Sequence, residues 1–327
     1  MENRKILVTG GCGYIGSFMV KVLFDHGYIP VVLDNLSRGN RQAIYESVPF
    51  YQGNVSDVDL LRRIVQEQQI EGVIHFAGVI SMKESMENPG LYFDQNTHES
   101  HRLIENMKTL GLNNIIFSST AGVYGNPESV PISEDDRKEP TNPYGESKLL
   151  VEKILKWYHA IHGINYSVLR YFNASGAMPD GSLGETHSPE THIIPIALNA
   201  LMNDIEFTVF GTDYDTPDGT CVRDYIHVLD LAEAHVLALE NIMANGGAET
   251  FNVGTGKGFS NKEIITSIQE VTGKTLRVRE ESRRPGDADE LVADATRIKE
   301  KLGFEPKFSD IRTIIESAWK FHSKLEK

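Results

Sequence analysis

The first half of the chain alternates short, unbroken apolar runs with longer stretches whose apolar residues recur every three or four positions. Lys5-Ile6-Leu7-Val8-Thr9 reads as a buried strand that ends in a glycine-rich turn. Beyond it, Ile15, Phe18, Met19, Val22 and Leu23 share one face of a helix that Gly27 stops, and Val31 to Asp34 is the next strand. The strand signal returns at Pro49 to Gln52, Gly72 to Phe76, Asn114 to Ser119 and Asn165 to Arg170. Helical periodicity lies between them at Asp59 to Gln68, Gly90 to Leu110 and Tyr144 to His162. Strands and helices in this rhythm predict right-handed parallel crossovers and an α/β fold with a doubly wound parallel sheet.

After Phe172 the rhythm breaks. Residues 173–195 are rich in Gly, Pro, Ser and Thr, and residues 211–220 form a second polar stretch. Long irregular segments in a compact protein are most often functional or disordered. The expected organisation is therefore a nucleotide-binding Rossmann domain over residues 1–172, with a return segment near 224–252. A smaller, loop-rich lobe over 173–327 is suited to holding a substrate.

Composition narrows the function classes. The chain has 327 residues, two cysteines and a net charge of −14. A balance this acidic argues against nucleic acid as the main partner, since a phosphate backbone would be repelled. Cys12 and Cys221 do not make a disulfide framework, and the reducing cytoplasm is the expected compartment. No run approaches the roughly 18 apolar residues of a spanning helix, so no membrane association is expected.

The first candidate chemistry is Thr9-Gly10-Gly11-Cys12-Gly13-Tyr14-Ile15-Gly16, with glycines at 10, 13 and 16. Such a turn lets backbone approach a pyrophosphate while a helix N-terminus offers free N–H groups. A glycine triplet alone is weak, but this one follows a strand and opens an amphipathic helix. Asp34 closes the second strand, where a carboxylate grips an adenosine ribose and repels a 2′-phosphate. NAD is thus favoured over NADP, although Arg38 lies close enough in sequence to receive that phosphate.

The second is Tyr144-Gly145-Glu146-Ser147-Lys148. Residues four apart share a helix face, so Lys148 can stand beside the phenol and lower its pKa from the usual value near 10. Thr120, ending the strand Phe117-Ser118-Ser119-Thr120, can present a hydroxyl to the same substrate oxygen. A Tyr/Lys pair is common on exposed helices. Next to a nucleotide loop it points instead to hydride chemistry at a carbinol carbon.

On these and further motifs the chain resembles the extended short-chain dehydrogenase/reductase family, and within it the UDP-hexose 4-epimerases. The likeness runs nearly end to end. It includes His75-Phe76-Ala77-Gly78, Ser118 to Gly125, Asn142 to Lys148, Leu169 to Asn173, Asp218 to Val228 and Arg283-Arg284-Pro285-Gly286-Asp287. The resemblance implies Tyr144 as catalytic acid/base, Thr120 as its hydroxyl partner and Lys148 as the ribose-holding, pKa-setting cation. It implies a cofactor site of Gly10, Gly13, Tyr14, Ile15, Gly16, Asp34, Asn35, Leu36, Ser37, Arg38, Gly39, Asn54, Val55, Phe76, Ala77, Gly78, Asn96 and Phe172, besides the catalytic three. Asn173, Ile193, Phe210, Arg223, Arg284 and Asp287 would join Thr120 and Tyr144 around the UDP-sugar. The implied reaction interconverts UDP-glucose and UDP-galactose through a transient 4-keto sugar, in a cytoplasmic homodimer serving galactose metabolism, with helices near 90–110 and 144–162 often at the dimer face.

Three positions depart from the pattern. Ile80 stands where the family often has a pyrophosphate-side lysine, with Lys83 as a neighbouring substitute. His192 replaces a frequent asparagine. Leu291 replaces a tyrosine that limits space beside the sugar 2-substituent, which opens the site to UDP-GlcNAc and UDP-GalNAc.

Other signals are set aside. Glu185 to His192 resembles a metal cluster on paper, but Pro189 breaks the helix that zincin spacing needs, so no metal is expected. Cys12 is read as a packed, inert thiol, His75 as a core histidine and Lys320 to Lys327 as a solvated helix face. A 4,6-dehydratase would need an acid pair after Thr120, where the chain has Ala121-Gly122. A uronate-handling epimerase or decarboxylase is separable by substrate. A non-catalytic dinucleotide sensor typically lacks the tyrosine or lysine, and both are present.

Overall fold

Each short apolar run becomes a strand because its alternate side chains point into two separate cores. The computed structural model describes residues 3–187, 189–284 and 287–325. The strands are β1 (Lys5–Thr9), β2 (Ile29–Asp34), β3 (Phe50–Gln52), β4 (Gly72–His75), β5 (Asn114–Thr120), β6 (Asn165–Tyr171), β7 (Asn173–Ser175), β8 (Phe207–Phe210), β9 (Val222–His227), β10 (Ala248–Val253), β11 (Gly258–Ser260), β12 (Val278–Glu281) and β13 (Glu290–Leu291). The helices are α1 (Tyr14–Asp25), α2 (Val58–Gln68), α3 (Met82–Glu87), α4 (Pro89–Tyr92), α5 (Glu99–Leu110), α6 (Pro143–His162), α7 (Ile193–Met202), α8 (Val228–Asn245), α9 (Asn261–Thr272), α10 (Thr296–Leu302) and α11 (Ile311–Leu325).

Seven strands form one parallel sheet in the order β10-β6-β5-β4-β1-β2-β3. This is the doubly wound sheet that the alternation predicts. Ile6 and Val8 of β1 join Met19 of α1 and Leu231 of α8 on one face, while Leu7 joins Leu61 of α2, Leu103 of α5 and Val151 of α6 on the other. Strand order reverses between β1 and β4. The crevice beyond their C-terminal ends is where open α/β sheets place ligands.

Beyond β6 the chain builds a smaller lobe and then returns. In the lobe, β9 pairs with β7, β11 and β13, and β8 pairs with β12. Helices α7, α9 and α11 pack there through Leu198, Ile268 and Ile314. Strand β10 then rejoins the large sheet beside β6.

The long helix predicted at Gly90 to Leu110 is divided. Between α4 and α5, residues Phe93–His98 are wound as a π-turn. The wider turn leaves Asn96 buried, bonded to the Val79 backbone and to Ser147 of α6. Periodicity alone could not show this, since one extra residue per turn barely disturbs an apolar stripe.

Candidate active site

The glycine loop is tight for steric reasons. A Cβ on Gly16 would lie 2.2 Å from the Gly10 carbonyl oxygen, and one on Gly10 would lie 2.6 Å from the Ala77 nitrogen. At Gly13, by contrast, the nearest atom would be 3.3 Å away. Gly13 caps α1 without any side-chain hydrogen bond, whereas Asp57, Ser81, Asn142 and Ser260 cap α2, α3, α6 and α9. An uncapped first turn behind a glycine backbone fits a pyrophosphate. These residues therefore fit NAD.

Asp34 is buried at the end of β2. Its Oδ2 accepts from the Cys12 N–H at 2.9 Å and its Oδ1 from Leu36 at 2.8 Å, which fixes the carboxylate at the crevice. Gly39 packs close against Cys12 and Asp34, and Asn35 orients Ser37 and donates to Asn54 at 2.8 Å. Arg38 is committed to Glu84 at 2.8 Å, which opposes its use for a 2′-phosphate. Phe76 stacks on His235 and Ile15 packs against the core beside α8. Val55 is spent on core packing under the sheet. Ile80 is exposed, and Lys83 is exposed in the first turn of α3. Cys12 is buried and its thiol is pushed up to about 12, chiefly by that burial, then by Asp34, so it is inert.

The catalytic three meet at the end of β5. Asn142 caps α6 and Pro143 opens it, so Tyr144 and Lys148 stand one turn apart near the helix start. The Thr120 hydroxyl lies beside the Tyr144 phenol, and its Oγ1 accepts from Gly122 N–H at 3.0 Å. One expectation is corrected here. Burial raises the Tyr144 pKa, and the group that opposes this is Thr120, not Lys148. The lysine is engaged elsewhere: Nζ donates to the Ser118 carbonyl at 3.1 Å and lies 5.1 Å from the centre of the Phe117 ring. Burial lowers Lys148 itself to about 8. Burial of an ammonium disfavours its charged form.

Sequence reasoning missed the support beneath these groups. Glu152, two turns past Tyr144, accepts from Ser119 and from both arms of the buried Arg170, at 3.1 and 2.6 Å. Arg170 also donates to the Tyr124 hydroxyl at 2.9 Å. This ties α6 to β5 and β6 on either side of Thr120. A charged residue inside an apolar strand was the available signal. His75 is a satisfied core histidine, 2.6 Å from Thr9 and 2.8 Å from Ser100, lowered to about 3 by burial and then by Lys148.

On the facing lobe, Arg284 donates to Asp287 at 2.9 Å and lies 5.3 Å from the centre of the Phe210 ring. Burial raises the pKa of the Tyr214 phenol, Asp287 adds to that, and Arg223 and Arg284 oppose it. Pro285 and Gly286 of the same motif lie outside the described residues. Asn173 donates to the Asp224 carbonyl at 3.1 Å, and Ile193 opens α7. Leu291 is in register with Arg223 and packs with Phe172 against Ala121, Val123 and Tyr124. It therefore bridges the catalytic floor and the lobe.

The C-terminal lysines are not simply solvated. Lys320 donates to the Pro179 carbonyl at 2.7 Å, Lys324 to that of Asp180, and Phe321 is buried between them. Glu326 and Lys327 lie outside the described residues. Among the described residues no helix is long and apolar enough to cross a membrane. Pro189 does prevent a helix, yet a loop gathers Glu185, His187, Glu190 and His192 so that their ligand atoms lie within 4.8 Å of one another. Burial would lower His192, but Glu185 and then Glu190 outweigh it and raise the imidazole to about 10.

Residues 6–254 match the NAD dependent epimerase/dehydratase family. A UDP-glucose 4-epimerase of Lacticaseibacillus casei is 47% identical over 97% of this chain and 96% of its own. The structure of UDP-glucose 4-epimerase from Brucella ovis in complex with NAD superposes with a TM-score of 0.94, at 44% identity over 97% of each chain. The UDP-Glc/GlcNAc 4-epimerase from Campylobacter jejuni does so at 0.85, with 37% identity over 98% of this chain and 100% of that one. The fold agrees with that of these relatives over nearly the whole length, and the chain belongs to the NAD dependent epimerase/dehydratase family, where it stands with the UDP-glucose 4-epimerases.

Proposed function

We propose that this protein interconverts UDP-glucose and UDP-galactose, with NAD as a resident cofactor. The observation that carries the reading is the convergence of Thr120, at the end of β5, with Tyr144 and Lys148 of α6, with an Arg284–Asp287 pair on the smaller lobe. When bound, NAD supplies the hydride chemistry at the sugar C4, taking a hydride from one face and returning it to the other. Tyr144 as phenolate takes the proton of the 4-hydroxyl, and Thr120 stabilises the phenolate by hydrogen bonding. Lys148 holds positive charge against the crevice floor. Arg223 and Arg284 are guanidinium forks suited to a diphosphate, which an overall acidic protein must recruit locally. Anchored there, the flat 4-keto sugar can turn, and Tyr144 gives its proton back to the new 4-hydroxyl. Purified protein given UDP-galactose is expected to form UDP-glucose without added reductant. A product of lower mass by one water would support a dehydratase instead.

Leu291 favours a second activity on UDP-GlcNAc and UDP-GalNAc, because its place beside Phe172 and Tyr124 is filled by a short side chain. Absence of turnover with UDP-GlcNAc would sink that part. A homodimer is proposed from α6, where Trp157 and Ile161 stand one turn apart and are 67% and 66% exposed. Trp157→Glu is expected to shift the sedimentation coefficient to that of a monomer.

A further inference from the structure

We infer that Glu185, His187, Glu190 and His192 form a binding site for a divalent transition-metal ion of the zinc type. The four lie within eight residues of one loop, and their donor atoms all fall within 4.8 Å of one another. The Nδ1 atoms of His187 and His192 both stand 2.8 Å from the same Glu185 Oε1, and His192 Nδ1 is also 3.0 Å from Glu190 Oε1. Two imidazole nitrogens and two carboxylate oxygens converging on one point are a donor set that zinc accepts in tetrahedral geometry. Glu185 is only 4% exposed, so its charge needs a partner, and two carboxylates at one point are balanced more fully by a dication than by a shared proton.

The surroundings make the site a preformed one. The loop is pinned upstream where the Tyr14 hydroxyl donates to the Gly176 carbonyl at 2.6 Å and where Lys320 and Lys324 hold Pro179 and Asp180. Downstream it runs straight into α7 at Ile193. His187 meets the Tyr14 ring edge-on with centroids 6.2 Å apart. A metal here would lock the loop between the glycine-loop helix and the start of the substrate lobe, a structural role separate from the epimerase chemistry. Zinc takes the lone pair of a neutral imidazole nitrogen, so protons compete with it and affinity falls as the medium is acidified.

The test uses the full-length protein without a histidine tag, stripped with EDTA, supplied with zinc chloride and desalted. About one zinc ion per chain is expected, with a higher melting temperature than the stripped protein. His187→Gln and Glu190→Gln are each expected to retain less than about a tenth of that zinc. Absorption spectroscopy at the zinc edge is expected to show nitrogen and oxygen ligands at about 2.0–2.2 Å. Wild-type protein that emerges without zinc overturns the proposal. So does zinc retained equally by both variants, or sulfur in the metal's shell, which would place the ion on Cys12 or Cys221. The absorption measurement decides even if a variant fails to fold. None of these outcomes bears on whether UDP-galactose is turned over.

Discussion

In the proposed function the two sides of the crevice hold their ligands by different means. On the sheet side, backbone does the holding: an uncapped α1, glycines with no room for a methyl, and a carboxylate fixed by two N–H groups. On the lobe side, long side chains do it, with Arg284 on an exposed segment and Arg223 on a half-buried strand. The first arrangement suits a cofactor that stays. The second suits a substrate that must enter, turn and leave. Sheet-side changes should therefore strike retention and chemistry, and lobe-side changes should strike KM.

The sharpest break is expected at the phenol. Tyr144→Phe should lower kcat by about 10³-fold while NAD stays bound, since a positioned acid/base contributes in that range. Next is Gly16→Ala, whose methyl would meet the backbone of the glycine turn, with the Gly10 oxygen at 2.2 Å and the Gly11 Cα at 2.8 Å. It should cost about 3 kcal/mol and release NAD, read by denaturant unfolding and cofactor absorbance. Gly13→Ala, meeting nothing closer than 3.3 Å, should fold normally and sharpens the contrast. On the lobe, Arg284→Ala should raise KM by about 10- to 100-fold with NAD content unchanged, the loss of a charged hydrogen bond. If it released NAD instead, the division between the two sides would be wrong. Leu291→Tyr should lower turnover of UDP-GlcNAc about 10-fold relative to UDP-galactose.

A further effect is in pH dependence. Lys148 is lowered from 10.5 to about 8 by burial, so folding disfavours its charged form. The penalty is absent above about 10.5, grows as pH falls, and is complete below about 8. Lys148→Met should remove this pH-dependent loss of stability between those values, seen as a flatter plot of melting temperature against pH.

How much of this was legible in the sequence divides along the same line. The large sheet could be read because most of its strands carry a short apolar run, such as Ile6-Leu7-Val8 and Ile115-Ile116-Phe117, and the glycine loop because its spacing states a backbone geometry. Thr120, Tyr144 and Lys148 could be named, but not their electrostatics. Lys148 points to Ser118 and Phe117, and that depends on how α6 settles on β5. The Glu152–Arg170 tie was hidden because residues on neighbouring elements carry no shared periodicity. The clustering of the Glu185 loop was hidden for a related reason. Helix spacing was the wrong ruler for donors gathered by irregular backbone. The π-turn around Asn96 left almost no trace in an otherwise helical pattern.

The central claim is that one hydride leaves C4 and comes back to the same carbon. Incubating the enzyme with UDP-galactose carrying deuterium at C4, in ordinary water, tests it most directly. The account predicts UDP-glucose that keeps the deuterium at C4, with no label gained when unlabelled substrate is run in heavy water. Loss of the deuterium to solvent would contradict it, and would require epimerisation by proton removal from carbon.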